Sequence, residues 1–185
     1  MAELDTRQEI CRYFVALLNY PSDEVKQTAA ICYTRLKEFY PETAEYLRGF
    51  IRFLEDEQAS RVEEVFTTTF DLQPLCYPYV GYQLCGENQH RTMFLIKLRE
   101  IYRQHDFVAG DELPDHLCEV LRFVGMVADQ ECYHEIVQDG LLPALEKILK
   151  SIETDDHPYG NLLNALQSFL IETVNNETKM LAAGR

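Results

Sequence analysis

The segment "DELPDHLCEVLRF" at residues 111–123 holds side chains whose types are suited to chemistry. His116 and Cys118 are a base and a nucleophile that could form a catalytic dyad. However, residues two positions apart do not face each other on a helix, and nucleophile and base normally meet across a fold. The spacing therefore argues against catalysis. We predict no catalytic residue here and no enzyme activity for the chain.

Cys76, Cys85 and His90 are the side chains that could come together around a metal ion. Their spacing fits no common zinc pattern, and the chain has neither H-E-x-x-H nor C-x-x-C. The glycine-rich nucleotide-binding motifs G-x-x-x-x-G-K-[ST] and G-x-G-x-x-G are also absent. We predict no metal site and no cofactor. A small helical metal-binding protein or enzyme that uses these three residues stays open as the alternative.

Negative charge is concentrated in the middle of the chain. The net charge is −14, and residues 111–139 contain eight carboxylates with Arg122 as the only lysine or arginine. Such a charge argues against nucleic acid, which is bound through clustered cations. It would steer a basic peptide to this region, where grooves between helices could hold apolar side chains. A solvated acidic face without a partner is the alternative explanation.

The elements that must position these residues are helices. Apolar residues recur at helical spacing in nearly every segment, as Ile10, Phe14 and Leu17 do near the start, and no useful alternating strand pattern occurs. We predict a single all-α domain at residues 1–175, a bundle of about seven or eight helices, and a frayed tail at residues 176–185. Asp156 is a candidate N-cap of the last helix.

Two connections interrupt the helical pattern. Residues 71–87 contain two prolines, two glycines and three tyrosines, which predicts an irregular, aromatic-rich loop. Such loops are often functional, although these tyrosines could also fold back on the core. The second connection ends at residues 111–116, where Gly110 is a candidate left-handed C-cap and Pro114 suits the first turn of the next helix.

The sequence has no apolar run of the ~20 residues that a membrane helix requires. The first residues contain acids and no basic start followed by an apolar block, so they do not resemble a secretory signal. We therefore expect a cytoplasmic protein with no direct membrane insertion, in which the six cysteines are reduced.

Three motifs together resemble a known family. These are "ELPDHL" at 112–117, "GE" at 86–87 before a helix that ends in "YRQH", and "HPYGNLLNAL" at 157–166. They resemble the NarJ-type nitrate reductase delta-subunit chaperones, within the wider TorD/DmsD family of redox-enzyme maturation proteins. The similarity covers residues from about 63 to 169.

The resemblance implies a non-enzymatic, all-helical assembly factor. Its members bind the N-terminal segment of a molybdenum-containing catalytic subunit, here nitrate reductase-like. They hold the apoenzyme for insertion of the molybdenum cofactor and for assembly of the complex. A permanent structural subunit of the finished complex is a further alternative. We expect a monomer, with a dimer as the other possibility.

The binding groove of relatives involves the loop and helix start that match Glu112, Pro114, Asp115 and His116. In this chain the two acids would attract a positively charged N-terminal segment of the client. The proline would fix the backbone, and the histidine could hydrogen-bond peptide carbonyls. Neighbouring tyrosines would add amphipathic contact area. The predicted peptide-binding residues are Glu112, Pro114, Asp115, His116, Glu119, Tyr77, Tyr79 and Tyr82.

Overall fold

The computed structural model describes the backbone of residues 2–72, 74–152 and 157–183. Within these ranges the regular secondary structure is helical, apart from an isolated β-bridge between Tyr79 and His116. The predicted all-α fold is confirmed. Asp156, the candidate N-cap, lies outside the described residues.

The first half of the chain forms six helices, α1 (Ala2–Leu18), α2 (Val25–Phe39), α3 (Pro41–Asp56), α4 (Ala59–Phe70), α5 (Val80–Cys85) and α6 (Gln89–Gln104). The second half forms α7 (Leu117–Met126), α8 (Gln130–Glu135), a π-helical turn (Ile136–Leu141), α9 (Leu142–Ile152) and α10 (Pro158–Ala183). Of the α-helices in the described part of the chain, eight have ten residues or more, which agrees with the predicted number.

The core lies where the long helices cross. α1 packs against α7 and α2, and α3 packs against α10 and α2. Aromatic rings join these helices, since Phe169 of α10 lies 5.8 Å from the ring of Phe14 and 5.1 Å from the ring of Tyr40. Burial of such large apolar side chains is the main source of the bundle's stability. None of the described helices has the length and apolar character needed to span a bilayer.

The loop at residues 71–87 differs from the expectation. Helix α10 continues through residues 176–183, and the domain boundary at residue 175 and the frayed tail stay predictions. The loop contains the six-residue helix α5. A helix this short has less than two turns, so its periodicity is too weak a signal in the sequence. Gly86 ends it with a φ of 71°, which a glycine adopts without strain.

The end of α6 also differs. Gly110 is not its C-cap, because α6 ends at Gln104 and His105 takes the cap position. The left-handed residue that follows is Asp106, with a φ of 53°. A short polar side chain tolerates this conformation because it can hydrogen-bond locally. The turn therefore comes four residues before the expected glycine.

Candidate functional site

Two segments far apart in sequence are joined by backbone hydrogen bonds. The amide of Val80 donates to the carbonyl of Asp115 at 2.7 Å, and the amide of Leu117 donates to the carbonyl of Pro78 at 2.8 Å. These bonds form the β-bridge and hold the start of α5 beside the start of α7. We call residues 78–80 and 115–117 the clip. It brings residues 71–87, which we call the tyrosine loop, next to the "ELPDHL" segment.

Asp115 is fully buried, with 0% of its surface exposed. Its carboxylate accepts two hydrogen bonds from Arg91 of α6, at 2.9 Å from Nε and 3.3 Å from Nη2. The Arg91 side chain is 10% exposed and also pairs with Glu87. The prediction that Asp115 offers a free charge to a peptide is therefore wrong, because its charge is neutralised by Arg91 and shielded from solvent.

Glu119 is the second predicted peptide-binding residue that is buried in the structure. Its side chain is 8% exposed, pairs with Arg122 at 2.8 Å and accepts a hydrogen bond from the amide of Gly110 at 2.9 Å. It fastens the loop before α7 to the first turn of that helix. A direct contact between Glu119 and a peptide would require these bonds to break, so we correct its role to a structural one.

A groove of about 520 Å³ lies beside the clip. Its walls are the C-terminal ends of α1 and α4, side chains from residues 74–79, and side chains from residues 112–118. Four of the predicted peptide-binding residues are brought together here: Tyr77, Tyr79, Glu112 and His116. Peptide binding by these residues stays a prediction, but the structure places them around one concave surface.

The chemistry of this groove is aromatic and acidic. Phe66 and Phe70 form part of its apolar wall, and the ring of Tyr20 contacts Phe66 at 5.5 Å between centroids. Asp71 and Glu112 are exposed carboxylates that also line it. Among the described lining residues there is no lysine or arginine. The groove therefore suits a ligand with apolar side chains and positive charge.

His116 is the N-cap of α7. Its Nδ1 accepts a hydrogen bond from the amide of Cys118 at 3.3 Å, and its ring contacts Tyr79 edge-to-face at 5.2 Å between centroids. Burial lowers the pKa of His116, and the nearby carboxylates, Glu112 first, oppose this effect. Since Nδ1 must be unprotonated to accept a hydrogen bond, the cap requires the neutral imidazole.

The other predicted residues have supporting positions. Pro114 is buried and lies before α7, not in its first turn, and its carbonyl accepts a hydrogen bond from the Tyr102 hydroxyl at 2.9 Å. Tyr79 donates weakly to Glu112 at 3.4 Å. The Tyr82 ring packs on Tyr77 at 4.8 Å but is not among the described residues that line the groove.

Sequence reasoning did not select the groove residues from α1 and α4, nor Arg91. Phe66 and Phe70 are one helical turn apart at the end of α4, and Phe70 directly precedes Asp71, which is a weak signal for an aromatic pair near the surface. No sequence signal connects Arg91 to Asp115, because they are 24 residues apart and meet only when α6 packs beside the clip.

One residue of the metal-site alternative, Cys76, has a local partner. Cys76 is buried, its thiol lies 3.7 Å from the carbonyl of Thr69, and burial raises its pKa to about 12. A protonated thiol is a poor metal ligand. Within the residues whose side chains are described, His, Cys, Asp and Glu form no group of three that could hold a metal ion.

Comparison with known proteins gives two findings. The family model described as "Nitrate reductase delta subunit" matches residues 36–176. The chain is also similar to a protein from Bacillus subtilis (strain 168) described as "Probable nitrate reductase molybdenum cofactor assembly chaperone NarJ". The two are 26% identical over 156 residues, which covers 83% of this chain and 84% of that protein.

Proposed function

Since the chain belongs to the nitrate reductase delta subunit family, we propose that it is an assembly chaperone and not an enzyme. Its client is the catalytic subunit of a molybdenum-containing, nitrate reductase-like enzyme. The chaperone binds the N-terminal segment of the apo form and holds it for cofactor insertion and complex assembly. The similarity to a protein described as a NarJ assembly chaperone supports this proposal.

The observation that carries the proposal is the groove beside the clip. It combines an aromatic wall with two exposed carboxylates, Asp71 and Glu112, and its volume of about 520 Å³ is within the range of binding pockets for small ligands or a few side chains. A segment whose apolar residues are flanked by lysine or arginine would match both features. Apolar contact would give affinity, and the carboxylates would give orientation and faster encounter.

The clip explains why this surface is suited to an unfolded segment. A flexible peptide loses conformational entropy on binding, so a receptor that is already ordered avoids a second entropic cost. Backbone hydrogen bonds of 2.7 and 2.8 Å fasten the tyrosine loop to the start of α7. The groove is therefore held open by backbone bonds that a ligand does not have to form. We place this action in the cytoplasm and assign it to a monomer.

Calorimetry with a synthetic peptide tests the proposal. The peptide copies the N-terminal segment of the nitrate reductase-like catalytic subunit of the same organism. We expect binding that weakens as salt is added, because exposed charges contribute to it. Glu112→Gln and Asp71→Asn should each weaken binding several-fold and reduce its salt dependence.

The control is Glu131→Gln, which removes an exposed carboxylate on α8 outside the groove. It should leave the affinity unchanged. Equal weakening by all three variants would mean that only net charge matters and would contradict a specific groove. Purification of the chain together with the mature, cofactor-loaded enzyme would instead indicate a permanent subunit.

A further inference from the structure

Arg91 connects α6 to both segments of the clip. Its guanidinium donates two hydrogen bonds to the buried carboxylate of Asp115 and one to Glu87. The same guanidinium lies 5.2 Å from the ring centre of Tyr79 and 5.9 Å from that of Tyr82. These distances are within the range of cation–π attraction. One side chain therefore contacts the α7 side of the clip and the tyrosine-loop side.

The residues that Arg91 holds are those that shape one wall of the groove. The backbone carbonyl of Asp115 accepts a hydrogen bond from the amide of Val80. The next residue in the chain, His116, lines the groove. Tyr79 lies under the guanidinium and also lines the groove. The position of both lining side chains thus depends on where the guanidinium holds its partners.

Close packing leaves this ion pair little freedom. A Cβ added to Gly81 would lie 2.8 Å from Oδ2 of Asp115 and 2.8 Å from Cδ1 of Phe94. The start of α5 therefore approaches the carboxylate so closely that only a glycine fits without movement. A displaced Asp115 would push against α5 and Phe94, so a shift at the ion pair would reach the tyrosine loop.

We infer that Arg91 is a positioning residue for peptide binding: it touches no part of the peptide itself but sets the geometry of the groove through Asp115 and Tyr79. This inference rests on the proposed function. The guanidinium is suited to the task because it is planar, bonds a carboxylate through two nitrogens and stacks on rings, whereas a lysine ammonium is a point charge. Retaining the charge alone is therefore not enough.

The test compares Arg91→Lys with Arg122→Lys. Both variants keep a positive charge beside a buried carboxylate at the start of α7. Arg122 pairs with Glu119, and neither Arg122 nor Glu119 lines the groove, so Arg122→Lys is the matched control. Peptide affinity is measured by calorimetry under conditions in which circular dichroism shows each variant to be folded. We expect about a 10-fold loss for Arg91→Lys, which corresponds to loss of one charge-assisted hydrogen bond, and no change for Arg122→Lys.

A second measurement needs no peptide. Amide hydrogen exchange of Val80 and Leu117, whose N–H groups close the clip, should become about 10-fold faster in Arg91→Lys and stay unchanged in Arg122→Lys. If Arg91→Lys does not fold, the double variant Arg91→Gln/Asp115→Asn removes both charges and leaves no unpaired ion. It should show the same loss of affinity and the same faster exchange.

The outcomes separate this inference from the proposed function. Wild-type affinity in Arg91→Lys, or equal weakening in Arg122→Lys, would overturn the positioning role, and faster exchange with wild-type affinity would make Arg91 merely structural. If the wild-type chain does not bind the peptide, the proposed function fails. Amide exchange alone then decides whether Arg91 holds the clip, and unchanged exchange would overturn that as well.

Discussion

The two acidic stretches of the chain, residues 111–119 and residues 129–139, have the same number of carboxylates but place them differently. In the first stretch Asp115 and Glu119 are buried and paired with arginines. In the second stretch all four carboxylates are exposed. Charge density along a sequence is therefore a poor guide to charge at a surface, because a buried ion pair contributes little net field.

The difference follows from the direction in which each helix packs. The start of α7 is covered by α6 and the tyrosine loop, so acids there must find partners inside the protein. The acids around α8 and the π-helical turn lie on an open face and are solvated by water. Asp115 and Glu119 are thus part of the folded interior, whereas the acids of the second stretch are on the surface. Substitutions in the two stretches should have very different consequences.

The largest effect is expected from Asp115→Ala. It leaves the Arg91 guanidinium without its buried partner, which should lower the free energy of unfolding by about 3–5 kcal/mol. Urea denaturation followed by circular dichroism measures this change. Asp139→Ala in the second stretch is the control and should unfold at nearly the wild-type urea concentration. Similar losses in both variants would contradict the contrast between the stretches.

A smaller effect is expected from Glu119→Gln. The side-chain oxygen of the glutamine can still accept the hydrogen bond from the Gly110 N–H, but the ion pair with Arg122 is lost. Because the Arg122 side chain is 42% exposed, water can solvate it after the change. We expect a loss of roughly 1–2 kcal/mol by the same denaturation measurement. A loss as large as that of Asp115→Ala would show that solvent does not reach Arg122.

The second stretch has one structural acid, Asp129, and its effect should be smaller again. It is the N-cap of α8, and its Oδ1 accepts a hydrogen bond from the amide of Cys132 at 2.9 Å. Asp129→Ala should lower stability by about 1 kcal/mol. Asp129→Asn is the matched control, since its amide oxygen can still cap the helix, and it should keep most of the stability. Equal losses would assign the effect to charge.

The smallest effect concerns pH and His116. Burial lowers the pKa of the folded-state imidazole below its ordinary value of 6.5, so below that pH the unfolded chain binds more protons than the folded one. Stability should therefore fall as pH drops below about 6.5. In His116→Asn, which can still cap α7, the free energy of unfolding should depend less on pH between 7 and about 5.5.

His157, whose pKa burial also lowers, is present in both proteins and contributes equally to the comparison. An unchanged pH dependence in His116→Asn would mean that His116 is protonated as easily in the folded protein as in the unfolded chain. It would also weaken the contrast between the two stretches, because the buried start of α7 would then tolerate a charged side chain.

The sequence predicted the helices well because their apolar stripes span several turns. Phe14 and Leu17 of α1 and Leu162 and Phe169 of α10 are buried as their spacing indicates. The short helix α5 was missed because local propensity does not form it: Val80 and Gly81 are buried, and Gly81 lies against Asp115 and Phe94 of α6, which only the folded chain provides. Tertiary contact also moved the start of α7 past Pro114 to Leu117.

The candidate site was half predictable. Tyr77, Tyr79, Glu112 and His116 are in two segments that the sequence selected for their unusual composition, and the structure places them around one groove. The aromatic wall from α4 was missed, because Phe66 and Phe70 have the same spacing as any buried helical pair. Burial of Asp115 was missed because its partner, Arg91, belongs to a different helix.

The amino-acid sequence alone determined the all-α architecture and the family, since helical periodicity and the motifs that mark the family are local patterns along the chain. The tertiary structure decided which carboxylates carry free charge and which side chains share a groove. The physical reason is that burial and ion pairing depend on distances across space, and Arg91 reaches Asp115 only after α6 has packed beside the start of α7.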